Sequence, residues 1–500
     1  MSTPSQSKPF PKLTSKEEQH LINELTHHAL SQGLLIYPPA PFENYHPIQA
    51  PVTLYPTPFP SKEFEKAVSI STKFNELYAK VVSERKWLIE VISKLSQFDA
   101  DFTGKLYESY KTALANGIHQ PVSLALIRSD YMLDTATNQI KQIEFNTVSV
   151  SFGGLSTKVG ELHSFLNENG LYGSNGSRYY ETAYEVPVSD SAKLLAKGLY
   201  HGVSYYESSQ KIKRKTAKGE SIPSTATIVL MVIQPGERNV FDQRAVEYAL
   251  FQNYGVRTKR VELPSVTSQV KVDPETHKLY YDGDEVSVVY YRSAYAPSEF
   301  TSSETWDARV VLESTLAVKC PSLLTQLSGA KKIQQLLTDE SILNKFLPVK
   351  DELRTNLQST FVKIYPMDDS ELGLKAAKLA FEQPENFVLK PQREGGGNNI
   401  YKEDIPKFLK NLPKKEWAGY ILMELIHPPV FENPILKTGE VIKEGLVSEL
   451  GVFGAYLFDE QSGKVLANDY SGHLLRSKTQ SSNEGGVAAG FGCVDSLYLY

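Results

Sequence analysis

The sequence predicts a mixed α/β (α+β) protein, and three observations carry that expectation. Residues 227–234, TIVLMVIQ, form a continuous apolar run of the kind needed by a strand buried on both faces. A loop, a helical pattern over 244–254 and a second apolar run, VSVVYY ending at Arg292, follow it as a strand–helix–strand unit would. Two further strand-like pieces, 122–128 and 139–146, flank a polar turn and read as a hairpin or as neighbouring strands of a sheet, while 387–389 and 420–425 are short apolar strands further along.

Size and charge bound what such a protein does. With 500 residues there is room for two to four domains. A net charge of -5, with no basic tract beyond KIKRK at 211–215, argues against a general nucleic-acid binder. Cys320 and Cys493 stand alone without a CxxC spacing, so neither a disulfide framework nor a zinc site is expected, and a reducing compartment fits. The opening MSTPSQSKPFPK lacks an apolar signal segment, and no run of eighteen apolar residues occurs. The expectation is a cytoplasmic protein with no membrane and no nucleic-acid partner.

Taken in order, Ser15 and Glu18 read as a capping box ahead of Leu21, Ile22 and Leu25, with Gly33 as the stop of a docking helix. Prolines recurring from 38 to 60 exclude helix and predict an extended segment. Leu77, Val81, Leu88, Val91, Ile92 and Leu95 keep helical spacing and are core positions. In the hairpin, Gln142, Glu144 and Asn146 stand at i, i+2 and i+4 and are expected on one face of the second strand. A carboxylate and an amide there, followed by Ser149, Ser151, Gly153 and Gly154, suit a wall for magnesium and phosphate; a polar strand at a sheet edge has the same pattern.

Ligands of open α/β sheets gather beyond the carboxyl ends of strands, where Glu237, Asn239, Gln243, Arg292 and Tyr295 fall. Surface ion pairs through Glu237, Arg238 and Arg292 are the plainer reading. Lys331 and Lys332 open a later helix, where a cation could face phosphate, although a solvated lysine pair is the commoner explanation. The organising stretch is FVLKPQREGGGNN at 387–399. Three glycines without Cβ let backbone N–H groups approach an anion, and Lys390, Arg393, Glu394, Asn398 and Asn399 supply the cations and oxygen ligand that a metal-bound polyphosphate needs. It is neither a Walker loop nor a dinucleotide fingerprint, and on glycine content alone a mobile surface loop is the commoner reading. YILMEL at 420–425 offers backbone at Met423 to Leu425 for an adenine, or is a strand with one exposed acid, Glu424. Glu449 follows, then Arg476 and Lys478 at i and i+2 on one strand face, and NEGGVAAG at 483–490 as a second flexible loop suited to closing over a substrate.

The segments IEFNTVSVSFGG, ERNVFDQ, VVYYRSAY, TQLSGAKKIQQLL, VLKPQREGGGNN, YILMEL, SELGVFG, HLLRSK and EGGVAAGFG, in this order over nearly the whole chain, resemble the eukaryotic glutathione synthetases of fungal type. The resemblance implies an ATP-grasp fold with an inserted α/β substrate-binding domain and a mobile lid. Residues 1–226 would form the N-terminal part of the body with the metal and substrate wall, 227–330 the inserted domain, and 331–500 the C-terminal part, with the lid at about 364–446 and a glycine-rich loop at 483–490. It implies ATP-dependent ligation of γ-glutamylcysteine to glycine through an acylphosphate, giving glutathione, ADP and phosphate, in a Mg2+-dependent homodimer. Carried over residue by residue, it makes Glu144, Asn146 and Glu394 the magnesium ligands. It assigns ATP to Glu144, Lys331, Lys390, Glu394, Gly395, Gly396, Gly397, Asn398, Asn399, Tyr401, Met423, Glu424, Leu425, Ile426, Glu449, Lys478 and Glu484. It assigns the peptide and glycine to Arg128, Ser149, Ser151, Glu237, Asn239, Gln243, Arg292, Ser293, Ala294, Tyr295, Arg476, Val487 and Ala488, with Arg476, Arg128 and Ser151 nearest the chemistry. Ser293 and Ala294 stand where animal members are expected to carry aspartate and glycine, and Glu484 where aspartate is expected. The same fold with β-alanine or serine as acceptor, or a catalytically silent nucleotide-binding protein, are the alternatives.

Overall fold

The computed structural model describes residues 7–173, 176–182, 184–212, 226–349, 351–393, 397–483, 486, 487, 490 and 492–500. The strands that frame the site are β1 (Val122–Asp134), β2 (Gln139–Asn146), β3 (Ile228–Ile233), β4 (Thr258–Glu262), β5 (Asp284–Arg292), β6 (Val318–Cys320), β7 (Ile364–Pro366), β8 (Phe387–Pro391), β9 (Ile400–Tyr401), β10 (Tyr420–Glu424), β11 (Leu446–Asp459) and β12 (Val465–Thr479). The helices used below are α1 (Ser15–Gln32), α2 (Ser61–Ser83), α3 (Arg85–Leu95), α4 (Gly153–Glu168), α5 (Val240–Tyr254) and α6 (Lys331–Leu337).

α1 forms where expected, but its cap sits one residue earlier. The run Thr14-Ser-Lys-Glu17-Glu18 contains two overlapping capping boxes, and the helix uses the first: the Thr14 side chain receives Glu17 N–H, and Glu17 receives Thr14 N–H at 2.8 Å. Gly33 ends it in the left-handed region, φ 79°. The proline-rich segment is extended, in short strands at Ile48–Gln49, Val52–Thr53 and Thr57–Phe59. The helical pattern from 77 to 95 is divided between α2 and α3 at Glu84, and it buries Leu77, Val81, Leu88, Ile92 and Leu95.

β1 is the spine of the molecule. It runs past the expected end at Arg128 to Asp134, because Tyr131 and Leu133 continue the buried alternation. Leu124 and Leu126 enter one core with Phe453 and Leu457 of β11, while Ala125, Ile127 and Tyr131 enter the opposite core with Val452 and Tyr456. One edge of β1 pairs antiparallel with β11, which pairs in turn with β12. The other edge is shared: Ser123 pairs with β6 in parallel, and Arg128 to Asp134 pair antiparallel with β2. β6 continues through parallel β5 and β3 to β4, so the strand–helix–strand unit and the hairpin belong to one sheet, fourteen-stranded among the described residues.

The β1–β2 register skips Ile143: Asp130 faces Glu144, and Tyr131 faces Gln142. This bulge reverses the alternation. Glu144 and Asn146 remain on the face of Asp130 and Arg128, whereas Gln142 turns to the other side and donates to Ser129 Oγ at 2.9 Å. The expected shared face of Gln142, Glu144 and Asn146 is thus corrected for Gln142, since regular spacing does not reveal an inserted residue.

A separate antiparallel sheet, in the order β7–β10–β8–β9, spans Ile364 to Glu424. Phe387 and Leu389 of β8 pack on one face with Tyr365 and Leu422, and Val388 on the other with Met423. α5 begins at Val240, four residues before the helical pattern at Arg244.

Candidate active site

A cleft of ≈ 320 Å³ opens between the small sheet and the β2–β11–β12 region of the large one. Each wall follows from strand alternation. Val388 and Lys390 point into the cleft because Phe387 and Leu389 point into the small sheet's other core. Across β11 and β12, Val447 pairs with Lys478 and Glu449 with Arg476, and all four line the cleft, so the expected common face of Arg476 and Lys478 is present. Met132, Ile143, Val388, Met423, Leu425, Ile426 and Pro428 make an apolar part. Among the described lining residues, six cations (Lys331, Lys390, Arg393, Lys402, Arg476, Lys478) outnumber three carboxylates (Glu144, Glu424, Glu449). That combination suits a flat apolar group joined to a polyanion.

The charges are tightly held. Lys331, 3% exposed at the start of α6, donates to Glu144 at 2.8 Å. Burial pushes the Glu144 carboxyl up, but Lys331, Lys390 and Arg128 together outweigh it and hold the group well below the usual carboxylate range. Lys390 donates to the backbone carbonyl of Ile143 at 3.1 Å, and Gln334 of α6 donates to the same oxygen at 3.3 Å. Arg393, leaving β8, pairs with Asp99 at 2.6 Å and stands over the Phe102 ring. Burial, with Arg128 nearby, pulls the Arg476 guanidinium down to about 10 against the pull of Asp130 and Glu144, so it stays cationic at neutral pH.

A second polar cluster lies beyond the ends of β3 and β5. Arg292 donates to Ser151 Oγ at 2.8 Å and to Asp242 at 3.4 Å. Glu237 accepts from Asn239 N–H and from Gln243 Nε2, each at 2.7 Å, and Asn239 Nδ2 reaches Asp242 at 3.1 Å. Asp242 also accepts Phe152 N–H at 2.8 Å and Gly154 N–H at 2.7 Å. These bonds clamp a loop whose Ser149 and Phe152 have φ of 52° and 73°, a conformation costing roughly 1–2 kcal/mol for each non-glycine residue. Ser151 Oγ donates to Ser149 O at 3.1 Å within the same loop. Tyr295 follows β5, and burial together with Glu299 and Glu237 pushes its hydroxyl up to about 12.

The cleft therefore gathers Glu144, Lys331, Lys390, Asn398, Asn399, Tyr401, Met423, Glu424, Leu425, Ile426, Glu449, Arg476 and Lys478. The second cluster gathers Ser149, Ser151, Glu237, Asn239, Gln243 and Arg292, and Arg128 links the two by donating to Ser151 O at 3.3 Å and to Asp130. Three positions stand differently. Ser293 is turned into the sheet, donating to Val232 O at 3.1 Å; Ala294 has its N–H on Glu299 and its carbonyl on Gln326; Val487 is buried in the core. Ala294 has φ 65°, the left-handed region that favours the glycine expected there in animal members. Gly397 is described, with φ 89°, whereas Glu394, Gly395, Gly396, Glu484, Ala488 and residues 213–215 of the KIKRK run lie outside the described residues. Sequence reasoning missed Asp130 and Asp242, the two buried carboxylates that hold the clusters together. The Arg128-x-Asp130 spacing on a strand was the available signal for the first; nothing in the local sequence signals the second.

A family profile described as "Eukaryotic glutathione synthase, ATP binding domain" matches residues 15–499. "Glutathione synthetase large chain" of Schizosaccharomyces pombe is 40% identical over 464 residues, covering 90% of this chain and 91% of that one. "Glutathione synthetase" of Bos taurus is 37% identical over 487 residues and 96% of each. Among solved structures, a glutathione synthetase-like effector of Globodera pallida in apo form aligns over 99% of this chain and 100% of its own, with TM-score 0.73 at 22% identity, a likeness of fold.

Proposed function

This chain belongs to the eukaryotic glutathione synthetase family and is a ligase that makes glutathione, and from that premise we propose how its residues divide the work. ATP lies in the cleft between the sheets, its adenine against Met423 to Ile426 and its phosphates among Lys331, Lys390 and Lys478. γ-Glutamylcysteine lies along Arg128, Ser151 and Arg292, and glycine enters near Arg476. The observation that carries this reading is the continuity of the two clusters: from the cation-rich cleft Arg476 donates to Asp130, Arg128 donates to the same carboxylate, and Arg128 and Arg292 both reach Ser151. The small sheet belongs to the lid, at about 364–446, within a division of the chain at 226 and 330.

A carboxylate is a poor electrophile at neutral pH. In the first step an oxygen of the cysteinyl carboxylate attacks the γ-phosphorus and the bond to ADP breaks, giving an acylphosphate. In the second the glycine amine attacks the acyl carbon, loses a proton, and phosphate departs. Arg476 stabilises the oxyanion of that second step, the lysines neutralise the transferring phosphoryl group, and closure of the lid excludes water. No side-chain nucleophile is required: burial pushes the Cys320 thiol up to about 12 and holds the Cys493 thiol well above its ordinary value.

Mg2+ fits the donors present. Glu144 offers a carboxylate, and Asn146, whose Nδ2 donates to Asp130 at 3.0 Å and to Arg128 O at 3.3 Å, has its Oδ1 as the remaining donor, a hard-oxygen pair of the type magnesium takes with its waters. Glu394 would complete the set. When bound, the ion supplies charge for the phosphates. We further propose a homodimer located in the cytoplasm; among the described residues no helix is long and apolar enough to cross a membrane. The experiment is ADP release with ATP and γ-glutamylcysteine, with and without glycine, alongside glutathione formation. Glutathione and ADP in equal amounts, only when all three substrates are present, is the expected result. ADP release indifferent to γ-glutamylcysteine would overturn the assignment of the sites.

A further inference from the structure

Asp130 is wholly buried on β1, yet four charged or polar donors meet its carboxylate. Arg128 holds it with two parallel bonds, Nε to Oδ1 at 2.6 Å and Nη2 to Oδ2 at 2.8 Å. Arg476 Nη2 donates to Oδ2 at 3.1 Å, and Asn146 Nδ2 to the same oxygen at 3.0 Å. One acid thus joins a guanidinium of the peptide-side cluster to a guanidinium of the nucleotide-side cleft. Without it, two cations would face one another in a buried place. The opposite strand makes room for the arrangement. Gly451 of β11 pairs directly with Asp130, and a Cβ there would lie 2.7 Å from Arg128 Cδ and 3.0 Å from Asp130 Oδ1.

We propose that Asp130 is a positioning residue for the ligation, holding the Arg128 and Arg476 guanidinium groups as one rigid pair so that the bound peptide's reacting carboxyl and the donor for its oxyanion stand in a fixed relation. It touches neither substrate; it acts through the two arginines. The inference rests on the assignment of Arg128 to the peptide and Arg476 to the reacting groups. A guanidinium stabilises a developing oxyanion only if its direction is set before the charge appears, and a bidentate carboxylate is the fixing element that does this for Arg128. Arg476 also has Glu449, which neutralises it but reaches it from the cleft side and leaves it unlinked to Arg128.

The test compares wild type, Asp130→Asn, Gly451→Ala, Arg476→Ala and the Asp130→Asn/Arg476→Ala double variant in single-turnover formation of ADP and glutathione, with steady-state KM for ATP and thermal midpoints measured on the same samples. Asp130→Asn is expected to lose about a hundredfold in turnover, the usual effect of disorganising one preset donor, with KM for ATP within about threefold of wild type. Gly451→Ala keeps every charge and crowds the pair, so it should lose about tenfold with the same KM pattern, and it stands in should Asp130→Asn not fold. The decisive readout is coupling: Arg476→Ala should reduce the rate far less in the Asp130→Asn background than in wild type. Losses that simply multiply, or that vanish after correction for the folded fraction, would make Asp130 a structural ion-pair partner and overturn the proposal. A wild-type protein that makes no ADP from γ-glutamylcysteine would instead refute the assignment of function on which it rests.

Discussion

Glu144→Gln keeps the shape of the side chain and removes one charge from between Lys331 and Lys390. At 2.8 Å the Glu144–Lys331 attraction is about 6 kcal/mol with an effective dielectric constant near 20, before desolvation is subtracted. Breaking a buried pair by removing one partner typically costs about 3–5 kcal/mol. Lys331 is 3% exposed but Glu144 is 24% exposed, so water screens the vacated site and the stability cost falls to about 2–3 kcal/mol. Unfolding entropy of roughly 2 cal/mol/K per residue makes that a fall of about 2–3 °C in the thermal midpoint of a chain this long. Turnover should fall much further, by about a hundredfold or more, and the loss should be steepest at limiting magnesium. The carboxyl titrates below its unfolded value, so the Lys331 pairing is fully present above about pH 4.3 and is lost only as pH drops through the depressed folded value. Magnesium dependence in the wild type should therefore show no Glu144-linked change between about pH 6 and 8. Calorimetry and an ADP-release assay over a magnesium series check both numbers. Wild-type turnover in the variant at limiting magnesium, or a midpoint loss of ten degrees with activity tracking the folded fraction, would refute the reasoning.

Three further outcomes are expected. Lys390→Gln should raise KM for ATP by about tenfold or more, the effect of one charge-assisted bond, while KM for γ-glutamylcysteine changes little; the opposite selectivity in steady-state kinetics would remove Lys390 from the nucleotide site. Asp242→Asn removes the charge that meets Arg292 and the N–H groups of Phe152 and Gly154, so peptide KM should rise and the thermal midpoint fall by about 2 °C, with KM for ATP near wild type; unchanged peptide KM would show the loop to be held by other contacts. Iodoacetamide at pH 8 should leave the native enzyme active over hours, because both thiols are buried and their ionisation is pushed upward; rapid inactivation with alkylation at Cys320 or Cys493 would contradict this.

The parts of the fold legible in the sequence are those ruled by short-range periodicity. The apolar runs at β3, β5, β8 and β10 announce buried strands, and Arg476 and Lys478 share a face because a regular strand has no alternative. What escaped depended on chain segments far apart. That β6 joins the strand–helix–strand unit to β1 follows from a crossover that no local pattern encodes. The reversal at Gln142 needs one inserted residue whose side chain looks like any other apolar strand residue. Asp130 and Asp242 read locally as an ordinary strand acid and an ordinary first-turn helix acid. Only their partners, Arg476 and Asn146 for one, Phe152 and Gly154 for the other, reveal what they hold.

The skipped residue in β2 has a bearing on how this enzyme can change over generations. Lys390 of the small sheet and Gln334 of α6 both dock on the carbonyl of Ile143, an atom of the main chain. Exchanging the amino acid at 143 alters a side chain and leaves that oxygen in place, so ordinary codon changes leave this anchor untouched. Loss or gain of a single codon in β2 is another matter. Deleting residue 143 would restore regular pleating and carry either Glu144 and Asn146 or the whole remainder of the strand to the wrong side, while taking the docking oxygen away. Exchanges of Ile143 for other apolar residues should therefore be recovered freely from random libraries, and frame-preserving deletions of that codon should be missing from every active clone.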